Sequence, residues 1–176
     1  MKVTIHQPNF LPYLGFFEKI LYSDVFVIYD TAQFSRDGFQ QRNFIKLGDT
    51  KHLCCLQVGS DAWHHPIKDV AIKNDIVTQK MWKTISLAYR KAPYFHLYRD
   101  DLEALFLSHP TNLSDFSIAI IRYVLEKLQW TGRIVRTSEL PMLDPSLRKT
   151  DALLQIVQAV GGSVYVSGSS GKNYLE

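Results

Sequence analysis

Three short stretches combine residue types able to hold or move charge on a small anion. His6-Gln7-Pro8-Asn9 offers an imidazole and two amides, with Gly15 a few residues on, where a helix could approach a ligand closely. His6 could stabilise negative charge on a phosphate or act as acid or base near neutral pH; equally, it could end a buried strand, bonded to backbone. Ser167-Gly168-Ser169-Ser170-Gly171-Lys172 supplies three hydroxyls, an ammonium group and flexible backbone, the groups that wrap phosphate in a nest of N–H donors. It is not a Walker A loop: Val166 stands where that pattern needs Gly, and Asn173 where it needs Ser or Thr. A small-residue run after a strand is also an ordinary turn.

Arg36-Asp37-Gly38-Phe39-Gln40-Gln41-Arg42-Asn43 is too polar for a core. Arg binds planar anions through paired hydrogen bonds, so Arg36 or Arg42 could clamp phosphate or carboxylate. The alternative is a solvated hairpin. Asp30 could orient a sugar hydroxyl or a metal ion, or cap the next turn. His64-His65 is a poor metal pair, because adjacent side chains on an extended chain point apart and only Asp61 and Asp69 lie near in sequence. Cys54 lies in an apolar run with no evident base, and with Cys55 it reads as a pair of buried thiols, adjacent and therefore hard to bridge. No metal site is assigned.

The elements that must position these groups follow from periodicity. Val3-Thr4-Ile5 and Val25-Phe26-Val27-Ile28-Tyr29 are apolar on both faces, as buried parallel strands are. Between them Leu14, Phe17, Ile20 and Leu21 recur at helical spacing behind Pro12, which completes a βαβ unit. Residues 31–42 read as a long functional loop or hairpin arm. Phe44–Leu47 and His52–Val58 read as an antiparallel hairpin about Gly48-Asp49-Thr50, and Ile67–Ile72 as a further strand. Three helices are predicted over Thr78–Lys91, Tyr94–Ser108 and Leu113–Gln129, separated by Pro93 and His109-Pro110. Arg133–Arg136 is a strand. Leu147–Val160 is a helix with Leu153, Leu154, Val157 and Val160 on one side, stopped by Gly161-Gly162, and Val164–Val166 is the last strand. The expected fold is α/β, a mostly parallel Rossmann-like sheet in one domain over 1–176, with an inserted β-hairpin and helical segment over roughly 31–130. In such sheets ligands bind beyond the carboxyl ends of the strands, where His6-Gln7, Asp30 and Ser167–Lys172 all fall.

Composition narrows the classes. At 176 residues, 46% apolar and 21% charged, the chain can bury a real core and is not disordered. A net charge of +3 leaves no footprint for duplex nucleic acid. The absence of a long apolar run predicts a cytoplasmic protein without a membrane span.

The opening strand into His6-Gln7-Pro8-Asn9-Phe10-Leu11-Pro12-Tyr13-Leu14-Gly15-Phe16-Phe17 strongly resembles the WbqC-like family. So do Asp24–Asp30, Gln33-Phe34, Gln41-Arg42-Asn43 and the closing Tyr165–Leu175. The resemblance implies a part in O-antigen or other surface-polysaccharide biosynthesis, with glycine or aminoacyl transfer suggested for some members. The family usually runs past the serine–glycine loop, so the chain reads as a short member or an incomplete one. A looser likeness joins the first strand, its Pro-containing loop and the late Ser/Gly/Lys loop to the layout of HIGH-type nucleotidyltransferases, although the paired His of their first motif is absent.

The resulting expectation is a transferase acting on a phosphorylated or nucleotide-linked small molecule, with His6 and Asp30 as catalytic groups. Gln7, Asn9, Gly15, Arg36, Arg42, Ser167, Gly168, Ser169, Ser170, Gly171 and Lys172 would hold the ligand, and a nucleotide with magnesium is the cofactor these loops suit. The alternative is a non-catalytic nucleotide- or ligand-binding module in a biosynthetic cluster.

Overall fold

A computed structural model of the chain describes residues 1–73, 76–141, 143, 144, 146–168 and 171. Lys2–His6 forms β1, and the chain turns at Gln7-Pro8 before α1 (Leu14–Leu21) and β2 (Val25–Ile28). β5 (Arg133–Arg136), α5 (Lys149–Ala159) and β6 (Val164–Tyr165) come from the far end of the sequence. The four strands form one sheet in the order β5-β2-β1-β6, and every neighbouring pair is parallel. This is the mixed α/β architecture with a parallel sheet that the apolar runs predict.

These elements belong to the first of two compact units, made of Met1–Pro8, Pro12–Ala32 and Val124–Glu176. Side chains alternate across its sheet. Val3, Ile5, Val25 and Val27 face Ile156, Val157 and Val160 of α5 in one buried cluster. Phe26 points the other way and meets Phe16 of α1 edge-on, ring centroids 5.7 Å apart. Helices therefore cover both faces. On α5 the buried stripe runs through Ile156 rather than Leu154, which is 51% exposed. The reason is geometric: 153, 156, 157 and 160 share a helical face and 154 does not. Gly161, at φ +77°, ends the helix region as a left-handed residue.

The second unit comprises Asn9–Leu11 and Gln33–Tyr123. Its hairpin pairs β3 (Arg42–Leu47) with β4 (Thr50–Cys55) from Arg42↔Cys55 to Leu47↔Thr50, around Gly48 at φ +59°. Adjacent positions point to opposite faces, so Cys54 is buried but Cys55 is exposed, not buried as its apolar neighbours suggest. The strand expected over Ile67–Ile72 is not formed. Behind Pro66 the chain makes a 3₁₀ turn instead, with Asp69 N–H bonded to Pro66 O and Val70 N–H to Ile67 O; only isolated bridges follow at Ala71 and Ile72. Helices α2 (Ile76–Tyr89) and α3 (Phe95–Phe106) form a hairpin, followed by α4 (Leu113–Lys127). A run of rings forms this unit's core: Trp82 to Phe106 at 5.8 Å, Phe106 to Phe116 at 5.4 Å, Phe116 to Phe10 at 5.9 Å. Among the described residues no helix is long and apolar enough to cross a membrane.

Packing where the chain passes from α5 to the sheet is tight at Gly162, where an added Cβ would lie 2.4 Å from Val3 Cγ2 and 2.8 Å from Val157 Cγ1. Overpacking of this kind costs about 1–3 kcal/mol. Gly162→Ala is therefore expected to lower the denaturant midpoint by that amount without changing the slope of the transition; an unchanged midpoint would show that the contact relaxes freely.

Candidate functional site: the carboxyl edge of the parallel sheet

Parallel pairing brings the carboxyl ends of all four strands in the first unit to one edge. β1 ends there at His6. The pairing of β6 is extended by one residue, Val166 N–H bonding Val3 O at 2.8 Å and Thr4 Oγ1 donating to Val166 O at 2.8 Å, which directs Ser167 and Gly168 toward the same edge. A Cβ built on Gly168 meets no atom within 4 Å, so space is open at this loop. Gly171 N–H returns to Gly168 O at 2.8 Å in a turn, and Gly171 itself is buried. Ser169, Ser170 and Lys172 lie outside the described residues.

The strand order adds a second constraint. From β1 the chain steps to β2 and then β5 on one side, and afterwards crosses back to place β6 on the other. The order thus reverses between β1 and β6, and open α/β sheets leave a crevice for ligands where the order reverses.

His6 is set deep at this point. Its ring packs edge-on against Phe16, centroids 4.8 Å apart, and Nδ1 lies 2.9 Å from Gln7 O. A carbonyl only accepts, which assigns the proton to Nδ1 and leaves the Nε2 lone pair as the acceptor. Burial, then the charge of nearby Lys19, push the imidazole from 6.5 down to about 4, against the opposing pull of the Gln7 carbonyl. His6 is therefore neutral at pH 7, a base and acceptor rather than a standing positive charge. Lys19 is itself held down, to about 8, by burial; its Nζ donates to Ile5 O at 3.3 Å. Sequence reasoning passed over Lys19. The signal was present, since it occupies a position three after Phe16 on the apolar side of a short helix. Gly15 sits in the first turn of α1, where an added Cβ would strike the Tyr13 ring at 2.6 Å, so its missing side chain is what makes room for that ring.

Asp30, fully buried at the end of β2, is the most heavily bonded group of the edge. One oxygen accepts from Thr137 Oγ1 at 3.0 Å and Ser138 N–H at 3.0 Å. The other accepts from Arg136 Nε at 2.7 Å and Ser138 Oγ at 2.7 Å. Four donors use the four lone-pair directions of a carboxylate. Burial alone pushes this carboxyl up, but the Ser138, Arg136 and Thr137 bonds together outweigh it and hold it below its usual range. The cradle ties the end of β2 to the loop after β5. Arg136-Thr137-Ser138 also escaped the sequence reading, although a cation followed by two hydroxyls at a strand end is the same kind of signal as the Ser/Gly run.

Asn9, Arg36 and Arg42 belong to the second unit. Asn9 is buried beside Phe10, whose N–H bonds Phe39 O at 2.8 Å. Arg36 donates to Ser60 O, and Arg42 lies 3.8 Å from Asp37 and opposite Cys55 on the hairpin. The Gln41-Arg42-Asn43 motif has a clear local purpose: Asn43 Nδ2 donates to Phe10 O at 3.2 Å and Leu11 O at 2.8 Å, holding Leu11 at φ +45°. Thus His6, Gln7, Asp30, Ser167 and Gly168 share the edge of one unit, and the two arginines and Asn9 are held by the other.

Residues 7–176 match the model of the WbqC-like protein family. The chain belongs to that family. It is also 27% identical over 177 residues, covering 99% of this chain and 75% of the relative, to a protein of Mycobacterium tuberculosis (strain ATCC 25618 / H37Rv) named "Uncharacterized protein Rv1507c". No solved structure matches.

Two predictions follow from the opposite ways these charges are buried. The unfolded chain protonates His6 near 6.5 and the folded one only near 4, so the unfolded state binds more protons between those values. Stability must then fall as pH drops from about 6.5 to 4, by up to about 3 kcal/mol. His6→Asn, which can keep a donor near Nδ1, should flatten this interval in pH-dependent urea denaturation, and Lys19→Met should raise the His6 value in an NMR titration without restoring 6.5. For Asp30 the linkage runs through the carboxylate range: its stabilisation is present above the unfolded value and lost as pH falls through the lower folded one. Asp30→Ala removes the shared acceptor of the Arg136, Thr137 and Ser138 donors and should cost about 3–5 kcal/mol by urea denaturation; a loss below 1 kcal/mol would mean the cradle carries little.

Proposed function

We propose that this WbqC-like chain is a cytoplasmic transferase of surface-polysaccharide assembly that binds a phosphorylated or nucleotide-linked small molecule at the carboxyl edge of its parallel sheet. One observation carries the reading: the strand order reverses between β1 and β6, and the loops leaving those two strands hold His6-Gln7 and Ser167-Gly168. This order also supports the Rossmann-like, HIGH-type nucleotidyltransferase layout as the finer description of the fold. Glycine or aminoacyl transfer fits the family's associations.

In this mechanism the open backbone at Ser167 and Gly168, with Ser169, Ser170 and Lys172 beyond, holds phosphate oxygens. Neutral His6 accepts a proton or hydrogen bond at Nε2 from the group being activated. An anion seated beside it supplies opposite charge and raises its proton affinity, so the imidazole becomes a stronger base only when the site is occupied. Asp30 acts as a positioning residue, since its lone pairs are already taken. Catalysis then rests on positioning and charge stabilisation. Magnesium would accompany a nucleotide.

The saturated state of Asp30 favours one second reading, a binding module, because it leaves His6 as the one proton carrier of the pair first considered. A panel of nucleoside triphosphates and nucleotide sugars with magnesium separates the two. The expected result is a rise in melting temperature of several degrees with at least one ligand, an upward shift of the His6 titration on binding, and pyrophosphate or nucleotide release when sugar or amino-acid acceptors are added. His6→Asn should retain the fold and lose turnover at least tenfold, a loss of ~1.4 kcal/mol in transition-state stabilisation. Binding without turnover across the acceptors would establish the module, and no thermal shift with any member of the panel would reject the edge as a nucleotide site.

A further inference from the structure

We infer that the cleft between α2 and α3 is a docking surface for membranes rich in anionic phospholipid. The cleft lies wholly within the second unit and measures about 730 Å³. Trp82 and Phe95 stack in its floor with centroids 6.1 Å apart, and Lys83, Arg90, Lys91 and Arg99 stand around it. Glu103, the carboxylate in its lining, is engaged: its Oε1 accepts from the Trp82 indole at 2.8 Å. Arg99 pairs with Asp100 at 2.7 Å, whereas among the described residues no carboxylate stands within ion-pair reach of Lys83, Arg90 or Lys91.

Residues 76–99 contain five cations and no carboxylate, between Asp75 on one side and Asp100 and Asp101 of α3 on the other. Around this cationic rim large apolar side chains stand in water. Leu87 is 58% exposed on α2 and Tyr94 70% in the turn. Exposed apolar surface costs solubility, and two such residues beside a basic rim form the pairing that an anionic bilayer satisfies. Lys and Arg meet the phosphates, worth about fivefold in binding per charge near the surface. Leu and Tyr enter the headgroup region, where an aromatic hydroxyl remains hydrated. An acidic protein would match the charge, but it would have to cover Leu87 and Tyr94 with apolar surface of its own. The bilayer supplies both chemistries in one plane.

Vesicle co-sedimentation of the full chain tests this. Vesicles of phosphatidylglycerol and phosphatidylcholine in equal amounts should pull the protein down, pure phosphatidylcholine should not, and raising salt from low to near-molar should release it. Arg90→Glu with Lys91→Glu should weaken partitioning at least tenfold, and Leu87→Ser with Tyr94→Ser should weaken it even at low salt. All four positions are exposed, and circular dichroism will show that the variants keep the fold. Equal binding to both vesicle types, no binding to the anionic ones, or wild-type partitioning by the charge-reversed variant would overturn the proposal. Release by millimolar inorganic phosphate at constant ionic strength would also overturn it, assigning the cleft to a free phosphate compound instead.

Discussion

Parallel pairing on both sides of β1 is the constraint from which the rest of the candidate site follows. A parallel neighbour cannot be reached by a tight turn, so every return must pass over a face of the sheet. The step from β1 to β2 and the later step from β5 back across β1 to β6 run in opposite directions. With right-handed crossovers their helices must then lie on opposite faces. That is where they are: α1 meets Phe26, and α5 meets Val3, Ile5, Val25 and Val27. The order reverses between β1 and β6 for the same reason, the position at which open α/β sheets characteristically take ligands. The two-residue pairing of β6, Lys2↔Val164 and Val3↔Tyr165, is short, yet the bonds at Val166 extend it far enough to direct the Ser/Gly loop toward the carboxyl edge.

Much of this was legible before any coordinates. The double-sided apolar runs Val3–Ile5 and Val25–Ile28 argue for parallel interior strands, and the three central helices are announced by spacing and by Pro93 and Pro110. Ile67–Ile72 misled because a short apolar run carries no information on hydrogen-bond partners, and Pro66 starts a 3₁₀ turn that alternation cannot register. Cys55 misled because composition does not say which face of a hairpin meets the core. At the site, residue type identified His6 and Asp30, but their states were hidden. These depend on partners distant in sequence: Asp30 is bonded by Arg136, Thr137 and Ser138, more than a hundred positions away. Arg36 and Arg42 looked alike in sequence, and the hairpin gives each its own local partner, Ser60 O and Asp37.

The edge buries two ionisable groups by opposite means, and the difference decides which can do chemistry. Asp30 keeps its charge because four donors replace its water; that network makes it rigid and leaves no lone pair for a substrate. His6 has the opposite surroundings, with Phe16 on its ring, Lys19 nearby and a single carbonyl bond, so it stays neutral and keeps Nε2 as an acceptor. Removing solvent from a base costs proton affinity in the empty site. The loss is recoverable: an incoming anion offsets Lys19 and stabilises the imidazolium at the moment when a proton must move. The charge of Lys19 holds the His6 proton affinity down, and on the proposed reading it would serve as a counter-charge for a bound phosphate. A binding module has no use for such a pair, because a permanently charged arginine would hold an anion more tightly. A buried neutral imidazole beside a depressed lysine suits a site whose charge state changes with occupancy, and this electrostatic argument, more than the fold, weighs toward transfer chemistry at the β1–β6 edge.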